Sequence, residues 1–320
     1  MISQATDTLV NTDPVVGVFR AFTGLSDLSG SAHVTVVPED QFATSVTEYA
    51  EERNAQLILS AWTLAYNESG GADIQANFLR NVFSTSHVDV ALFVEPSFAS
   101  AQNYGRGGKK HLFLPFFGGP DDRLALKLLV QLAATNPDVS ATVVRISKTD
   151  GAADTQSPTD KLEGGAQATV ASAAGFPDTV YGNVGTQTRL QSDTADNVLW
   201  SKLQGHGDGR PASVQDALSR IAFATEQSAT PLGRAAELAR ATKAKVEGHA
   251  VPARFIGVVG RSRRLATENH ATELNALVHQ QTSAAINADV RRTLGDVASA
   301  LVLSDLGAGL VVLQATVGRE

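Results

Sequence analysis

The residues best placed to do chemistry lie in the run Phe-Phe-Gly-Gly-Pro-Asp-Asp-Arg at positions 116–123. This run joins a predicted strand to a predicted helix, which is where open α/β sheets bind ligands. Its glycines would let backbone N–H groups approach a phosphate at the helix N-terminus. Against this, two aspartates in the first helical turn would repel an anion and would stabilise the helix by ~0.5–1 kcal/mol each without any ligand. Both interpretations stay open, and the candidate residues are Gly118, Gly119, Asp121, Asp122 and Arg123.

A second candidate is a basic zone at positions 234–264, which holds eight Lys or Arg residues and only two acidic ones. Arg261, Arg263 and Arg264 follow directly after a predicted strand that ends at Gly260. Such a cluster could bind a phosphate, acidic lipid head groups or an acidic partner segment. The alternative is an ordinary solvated helix face followed by a charged loop. We assign Gly260, Arg261 and Arg263 to the same candidate nucleotide or phosphate site as the glycine run.

Other kinds of chemistry find no support in the sequence. There is no cysteine, which excludes disulfides, thiolate metal sites and cysteine nucleophiles. The patterns GxSxG, HExxH and GxxxxGK[ST] are absent, and the seven histidines are scattered without metal-ligand spacing. We therefore predict no catalytic residue, no metal site and no enzyme activity, with an independent hydrolase as a remote alternative. The net charge of −7 argues against a nucleic-acid partner.

The elements that must position these residues follow an α/β pattern. Short apolar runs of strand length alternate with amphipathic stretches of helix length, which indicates a mainly parallel sheet. Helices are predicted at 13–24, 41–54, 74–84, 120–135, 197–203, 231–245 and 287–303. Strands are predicted at 33–37, 56–62, 88–94, 111–117, 140–146, 220–225, 254–260 and 309–314, and those at 56–62 and 88–94 read as buried on both faces. Because proline cannot donate a hydrogen bond to a neighbouring strand, Pro115 indicates one of two arrangements. Either the strand at 111–117 lies at a sheet edge, or the proline lies at that strand's C-terminal end.

The alternation predicts two tandem α/β units. We place the first at 1–98, a linker rich in small residues at 99–110, and the second at 111–320. Residues 148–195 are mostly Gly, Ala, Ser, Thr, Asp and Gln, and we predict a flexible insertion there. No apolar run reaches the ~18–20 residues of a membrane span.

The run at 116–123 also resembles a known family. Residues 111–146, with Phe-Phe-Gly-Gly-Pro-Asp-Asp-Arg-Leu-Ala-Leu at their centre, look like the cytosolic tail of monovalent cation/proton antiporters of the fungal potassium/proton and plant cation/proton exchanger types. The likeness continues through 56–62, 88–94, Phe-Ile-Gly-Val-Val-Gly-Arg at 255–261 and Leu-Gly-Asp-Val-Ala-Ser-Ala at 294–300. It covers nearly the whole chain except 148–195.

This resemblance implies tandem universal-stress-protein-like (Rossmann-like) units, the first of them opening with a helix where a complete unit opens with a strand. It implies a regulatory cytosolic domain of a potassium (or sodium)/proton antiporter, attached to the transmembrane module of the same polypeptide. It also implies a homodimer on the cytosolic face of a Golgi, endosomal or vacuolar membrane. The acidic lipid or partner expected at Arg261, Arg263 and Arg264 follows from the basic cluster itself. Which cation is exchanged does not follow from the resemblance.

The alternative function is a nucleotide-sensing module that binds an adenine nucleotide at the strand-end loops. The pattern of universal stress proteins that bind ATP is only partly present. Phe117 stands where they carry an aspartate at the end of the first strand, and Arg263 stands where a second glycine belongs. Gly295 comes late and is followed by Asp296 instead of Ser or Thr. We therefore expect no cofactor, with an adenine nucleotide as the alternative ligand.

Overall fold

Seven strands, nine α-helices and one 3₁₀ helix (Glu39–Gln41) lie in the described part of the chain. The structure is a computed structural model and describes residues 16, 30–31, 33–63, 71–95, 108–149, 186–205, 209–261, 270–280 and 287–316. The strands are β1 (Leu57–Thr63), β2 (Asp89–Glu95), β3 (Lys110–Phe116), β4 (Val139–Lys148), β5 (Ile221–Ser228), β6 (Arg254–Gly260) and β7 (Gly309–Gln314). The helices are α1 (Phe42–Glu52), α2 (Gly71–Thr85), α3 (Pro120–Thr135), α4 (Thr186–Gln204), α5 (Ala212–Ser219), α6 (Pro231–Glu247), α7 (Ala271–Gln280), α8 (Ala288–Leu294) and α9 (Asp296–Leu303).

All seven strands belong to one sheet in the order β1-β2-β7-β6-β3-β4-β5. Every neighbouring pair is parallel except β2 and β7, which are antiparallel. From β3 the chain moves outward to β4 and β5, then crosses back to β6 and β7 on the other side, as in doubly wound α/β folds. The mainly parallel α/β class is thus confirmed. Strands from both predicted units share this sheet, and the division into two tandem units stays a prediction.

Helices cover the sheet on two sides. One core contains side chains of α1, α2 and α6–α9, and includes Leu79, Leu232 and Leu301. The other core contains side chains of α3, α4 and α5, and includes Leu126, Trp200 and Ala217. Because β3 and β6 lie between the two cores, they read as nearly continuous apolar runs instead of alternating ones.

Several predicted elements are confirmed with the same first and last residues. The helix at 120–135 and the strands at 254–260 and 309–314 have the predicted bounds. The strand containing Pro115 is not at an edge, because β3 lies between β6 and β4. β3 pairs with β6 only as far as Phe113. Pro115 therefore lies near the C-terminal end of β3, beyond this pairing, where the N–H group that proline lacks is not needed for a hydrogen bond to β6.

Four sequence predictions are wrong. Residues 33–37 form no strand, and β1 is not buried on both faces, since Leu59 is 69 % exposed. The helix predicted at 287–303 breaks at Gly295, whose φ of 87° is left-handed and whose hydrogen faces the carbonyl oxygen of Arg261, where a Cβ would overlap it. The predicted insertion 148–195 includes the last residue of β4, Lys148, and the start of α4 at Thr186. The helix predicted at 13–24 lies outside the described residues except for Val16, which is helical. Residues 99–107 of the linker predicted at 99–110 and residues 150–185 of the insertion also lie outside them, and the last linker residue, Lys110, begins β3.

Candidate functional site

The candidate site lies where the chain reverses its winding, between β3 and β6. These strands are parallel neighbours, so their C-terminal ends meet at one edge of the sheet. After β3 the chain passes through Phe117, Gly118 and Gly119 into α3, and both glycines have left-handed φ values, 99° and 95°. This backbone turns several N–H groups toward one point. In open α/β sheets this crevice is the usual ligand site.

In this protein the point is occupied by the side chain of Asp122. The N–H groups of Phe117 and Gly118 donate to its Oδ2 at 2.6 and 2.9 Å. The N–H group of Gly260, at the end of β6, donates to its Oδ1 at 3.1 Å. The carboxyl group is fully buried. The backbone donors that would surround a bound phosphate are therefore engaged by a carboxyl group of the chain itself.

Gly260 is required for this arrangement. A Cβ at position 260 would overlap Oδ1 of Asp122 and would lie 2.8 Å from its backbone nitrogen. The contact is therefore not only with a side chain that could turn away, but also with the first turn of α3. The glycine brings the end of β6 against the helix N-terminus.

The environment of Asp122 changes its acidity. Burial raises the pKa of Asp122 to about 8, and the nearby Asp121 and Asp196 act in the same direction. The N–H groups of Phe117 and Gly118 act in the opposite direction. Desolvation is the largest effect because removing a carboxylate from water is expensive unless a cation pairs with it. The group therefore titrates close to neutral pH.

Asp121 and Arg123 anchor the same helix start to other parts of the chain. Oδ1 of Asp121 accepts a hydrogen bond from the N–H group of Ala315, just after β7, at 2.8 Å. Nη1 of Arg123 donates to Oδ1 of Asp196 on α4 at 2.7 Å, and both side chains are buried. Oδ2 of Asp196 accepts from the N–H group of Gly119 at 2.9 Å. The first turn of α3 is thus joined to β3, β6, β7 and α4.

Arg261 follows β6 directly and is 1 % exposed. Its Nε donates to the carbonyl oxygen of Thr293 at 2.9 Å, and its Nη2 donates to that of Arg292 at 3.0 Å. Its Nη1 donates to the side chain of Gln314, and the guanidinium lies 4.3 Å from the centre of the Phe83 ring. These contacts make Arg261 part of the packing between α2, α8 and β7.

The structure therefore brings together most of the predicted site residues. Gly118, Gly119, Asp122 and Gly260 meet at one point, and the side chains of Asp121 and Arg123 extend from it to other elements. Arg263 and Arg264 lie outside the described residues. The rest of the basic zone is dispersed: for example, Arg234 pairs with Glu226 and Glu237, while Lys243 donates to the carbonyl oxygen of Leu306.

Sequence reasoning missed Asp196 and Gln314. Asp196 lies one residue beyond the predicted insertion and one before the predicted helix at 197–203, so its position gave no sign of a role. Gln314 ends an otherwise apolar strand. A polar residue at the end of such a run is the sequence signal that could have marked it. Both contribute side-chain acceptors to buried arginines.

His111, at the start of β3, is the other notable buried titratable group. Its two ring nitrogens lie 2.9 Å from the hydroxyl oxygens of Ser140 and Thr142 on β4. Burial lowers the pKa of His111, and the positive charge of Lys245 lowers it further. The ring is held neutral between two hydroxyl groups, at the end of the sheet opposite to the candidate site.

The site as a whole is a closed polar junction. Its carboxyl groups accept hydrogen bonds from backbone N–H groups or from Arg123, and its arginines donate to side-chain and backbone oxygen atoms. No group of three His, Asp or Glu side chains in the described ranges could hold a metal ion. Nor is any helix within those ranges both long and apolar enough to cross a membrane.

In comparisons with known proteins, no protein-family model and no curated protein matched the chain.

Proposed function

We propose that this chain is a regulatory cytosolic domain of a potassium (or sodium)/proton antiporter, acting by conformation and contact instead of by chemistry. In this proposal it belongs to the same polypeptide as the transmembrane module and works as a homodimer. It lies at the cytosolic face of a Golgi, endosomal or vacuolar membrane. The family resemblance of residues 111–146 and 255–261 supports the assignment.

The observation that carries the proposal is the Asp122 carboxyl group in the ligand crevice. With these backbone donors engaged internally, the junction connects elements instead of presenting a reactive group. A regulatory domain needs such connections, because a partner can bias transport only if it prefers one arrangement of the domain over another. The buried pair of Arg123 and Asp196 connects α3 to α4 in the same way.

The test uses the complete product of the native reading frame, reconstituted into lipid vesicles. Proton flux is measured with a pH-sensitive dye after addition of potassium or sodium. We expect cation-dependent flux whose half-saturating cation concentration shifts by about threefold or more in Asp196→Asn, a shift equivalent to ~0.7 kcal/mol. The matched control is Asp193→Asn on the same helix, where the side chain is exposed and the flux should be unchanged.

Two results would overturn the proposal. One is a reading frame whose complete product contains no membrane-spanning segments. The other is a product that contains them but moves protons without any dependence on potassium or sodium. Equal flux kinetics in Asp196→Asn and Asp193→Asn would show that the junction does not affect transport. This result would refute regulation through the junction.

The alternative, nucleotide sensing at Gly118–Arg123 or at Gly260–Arg264, is favoured by the convergent N–H groups at the crevice. It requires a phosphate to displace the buried Asp122 carboxyl group, whose three donors would have to be transferred to the ligand. We therefore expect no rise in melting temperature with ATP, ADP or AMP at millimolar concentration. A rise that disappears in Gly118→Val would establish the sensing function instead.

A further inference from the structure

Residues 33–37 form no strand, but they form one wall of a cavity beside α1. The His33 ring stacks on the Tyr49 ring of α1, with the ring centroids 4.5 Å apart and the ring planes 8° from parallel. The Nε2 atom of His33 also lies 2.7 Å from the Oγ1 atom of Thr35. These contacts place the segment alongside α1 by side-chain packing instead of by strand pairing.

The cavity between this segment, α1 and α2 is mainly apolar, and we call it the apolar cavity. It has a volume of about 410 Å³, and its apolar walls come from Val37, Phe42, Val46, Tyr49 and Phe78. Three of these side chains share one face of α1, because positions 42, 46 and 49 have the spacing of neighbouring helix turns. The volume is within the ~300–1,000 Å³ of small-molecule sites, whose walls are likewise mostly apolar and aromatic.

A second cavity, which we call the acidic cavity, adjoins the first at Phe78, and this side chain lines both. The acidic cavity has a volume of about 360 Å³, and its polar walls come from Glu39, Asp40, Asn77 and Asn81. The two asparagines are four residues apart and therefore lie on one face of α2. Both cavities are partly open to solvent. A single ligand can therefore have one end in each of them.

The negative charge of the acidic cavity is not balanced by its own walls. Glu39 and Asp40 are exposed, and neither forms an ion pair with another described residue. None of the described residues that line either cavity is Lys or Arg. Carboxylates at the start of a helix interact favourably with its N-terminus without any ligand. That interaction does not account for an apolar cavity of ligand size directly beside them.

We propose that these two cavities together bind a small organic cation with an apolar body. The apolar or aromatic body lies in the apolar cavity, and the ammonium group lies in the acidic cavity beside Glu39 and Asp40. The amide oxygens of Asn77 and Asn81 accept hydrogen bonds from the ammonium group, and the face of the Phe78 ring attracts a cation. Charge complementarity selects this class of ligand, since the two carboxylates would repel a carboxylate or a phosphate.

Three fluorescent probes that differ only at the end of an alkyl chain test this preference. Dansylcadaverine ends in an ammonium group, dansyl-aminohexanoate in a carboxylate, and N-hexyl dansylamide in a methyl group. Dansyl fluorescence rises when the ring enters an apolar site, so titration with the 320-residue chain at low ionic strength gives a Kd for each probe. We expect dansylcadaverine to bind at least ~fivefold more tightly than the methyl probe and at least ~tenfold more tightly than the carboxylate probe. Added salt should reduce both ratios, because the carboxylates of the cavity are exposed.

Two pairs of variants locate the binding. The double variant Glu39→Gln/Asp40→Asn should bind the three probes with Kd values within ~twofold of one another, because the charge that separates them is removed. Its control, Glu48→Gln/Glu52→Gln, removes the same charge from exposed positions of α1 that line neither cavity, and it should keep the wild-type preference.

The second pair tests the apolar cavity. Phe42→Ala should weaken the binding of all three probes by ~fivefold or more, because it removes an aromatic wall. The matched control is Leu132→Ala on α3, where the side chain is 42 % exposed, as that of Phe42 is. This control should leave all three Kd values unchanged.

Several results would overturn the proposal. If no probe changes its fluorescence, or if the carboxylate probe binds as tightly as dansylcadaverine, the cavities do not select an organic cation. If the preference for dansylcadaverine survives in Glu39→Gln/Asp40→Asn, or if Phe42→Ala binds like Leu132→Ala, the probe binds elsewhere on the chain. These titrations do not measure transport, so they can fail or succeed independently of the proposed function.

Discussion

Asp122→Asn tests the central feature of the site, the buried carboxyl group among backbone donors. The substitution keeps the shape of the side chain but removes its titration. Any steric or hydrogen-bonding cost of the amide is independent of pH over the range of interest. The informative quantity is therefore how the difference in unfolding free energy between wild type and variant changes with pH.

The expected change follows from the raised pKa. An unfolded aspartate titrates near 3.8, whereas the pKa of Asp122 in the fold is about 8. Between these values the folded wild type holds a proton that the unfolded chain has released, so its stability falls as pH rises. The loss is ~1.4 kcal/mol per pH unit, or roughly 4 kcal/mol between pH 5 and pH 8, and it levels off above pH 8. This is a large part of the ~5–15 kcal/mol that stabilises an ordinary domain.

The measurement is urea unfolding, followed by circular dichroism at one-unit steps from pH 5 to pH 9. Wild type should lose stability relative to Asp122→Asn over this range, while Asp193→Asn, an exposed carboxylate on α4, should track wild type within ~1 kcal/mol. A pH-independent difference between wild type and Asp122→Asn would refute the reasoning. Such a flat difference would show that the three N–H donors outweigh desolvation and keep the carboxylate ionised over the whole range.

Three further predictions concern packing and acidity. Gly260→Ala should destabilise the fold by about 3 kcal/mol because its Cβ meets the backbone of α3, whereas Gly257→Ala on the same strand, whose Cβ lies 3.3 Å from a leucine side chain, should cost about 1 kcal/mol or less in urea unfolding. Gly295→Ala should cost ~2 kcal/mol or more by the same measurement, since φ is 87° and the Cβ would overlap a carbonyl oxygen, and an unchanged urea midpoint would contradict this. His111 has a lowered pKa, so below pH 6.5 the unfolded chain takes up a proton that the fold resists. Wild type should then lose stability relative to His111→Gln as pH falls from 7.5 to 5, and equal acid sensitivity of the two would count against a buried neutral ring.

Local sequence signals were sufficient for the elements around the site. The helix at 120–135 begins with a left-handed glycine and a proline at its first position and ends before an extended Asn136, so both its bounds follow from residue types. The strands β6 and β7 are short apolar runs bounded by glycine or polar residues. These patterns depend on the chain's own preferences and need no knowledge of distant contacts.

Tertiary contacts decided what the sequence could not predict. The pattern at 287–303 is helical throughout, and it breaks at Gly295 because the carbonyl oxygen of Arg261 lies against that position. Residues 33–37 have high strand propensity, but a strand exists only where a neighbouring strand accepts its hydrogen bonds. Neither cause is visible within a window of the sequence.

At the candidate site, too, local features could be predicted from the sequence and long-range contacts could not. Its glycines and acidic residues could be recognised, and the left-handed glycines turn backbone N–H groups toward one point. The occupant could not be recognised, because whether Asp122 turns inward depends on the N–H group of Gly260, 138 residues away. Arg261 was read as a cation for a ligand, but it is buried among partners that come from α8 and β7.

The junction around α3 constrains how this domain can change shape. Asp121, Asp122 and Asp196 receive hydrogen bonds from residues as distant in sequence as Phe117, Gly260 and Ala315. Breaking any one of them while it remains buried leaves an unsatisfied polar group at a cost of ~1–3 kcal/mol. Small displacements of α3 are therefore resisted, and a rearrangement has to release several of these contacts together. Under the proposed function, a partner would shift the domain between distinct arrangements. Ionisation of Asp122, as pH rises through its pKa of about 8, is the step that destabilises the junction without any ligand.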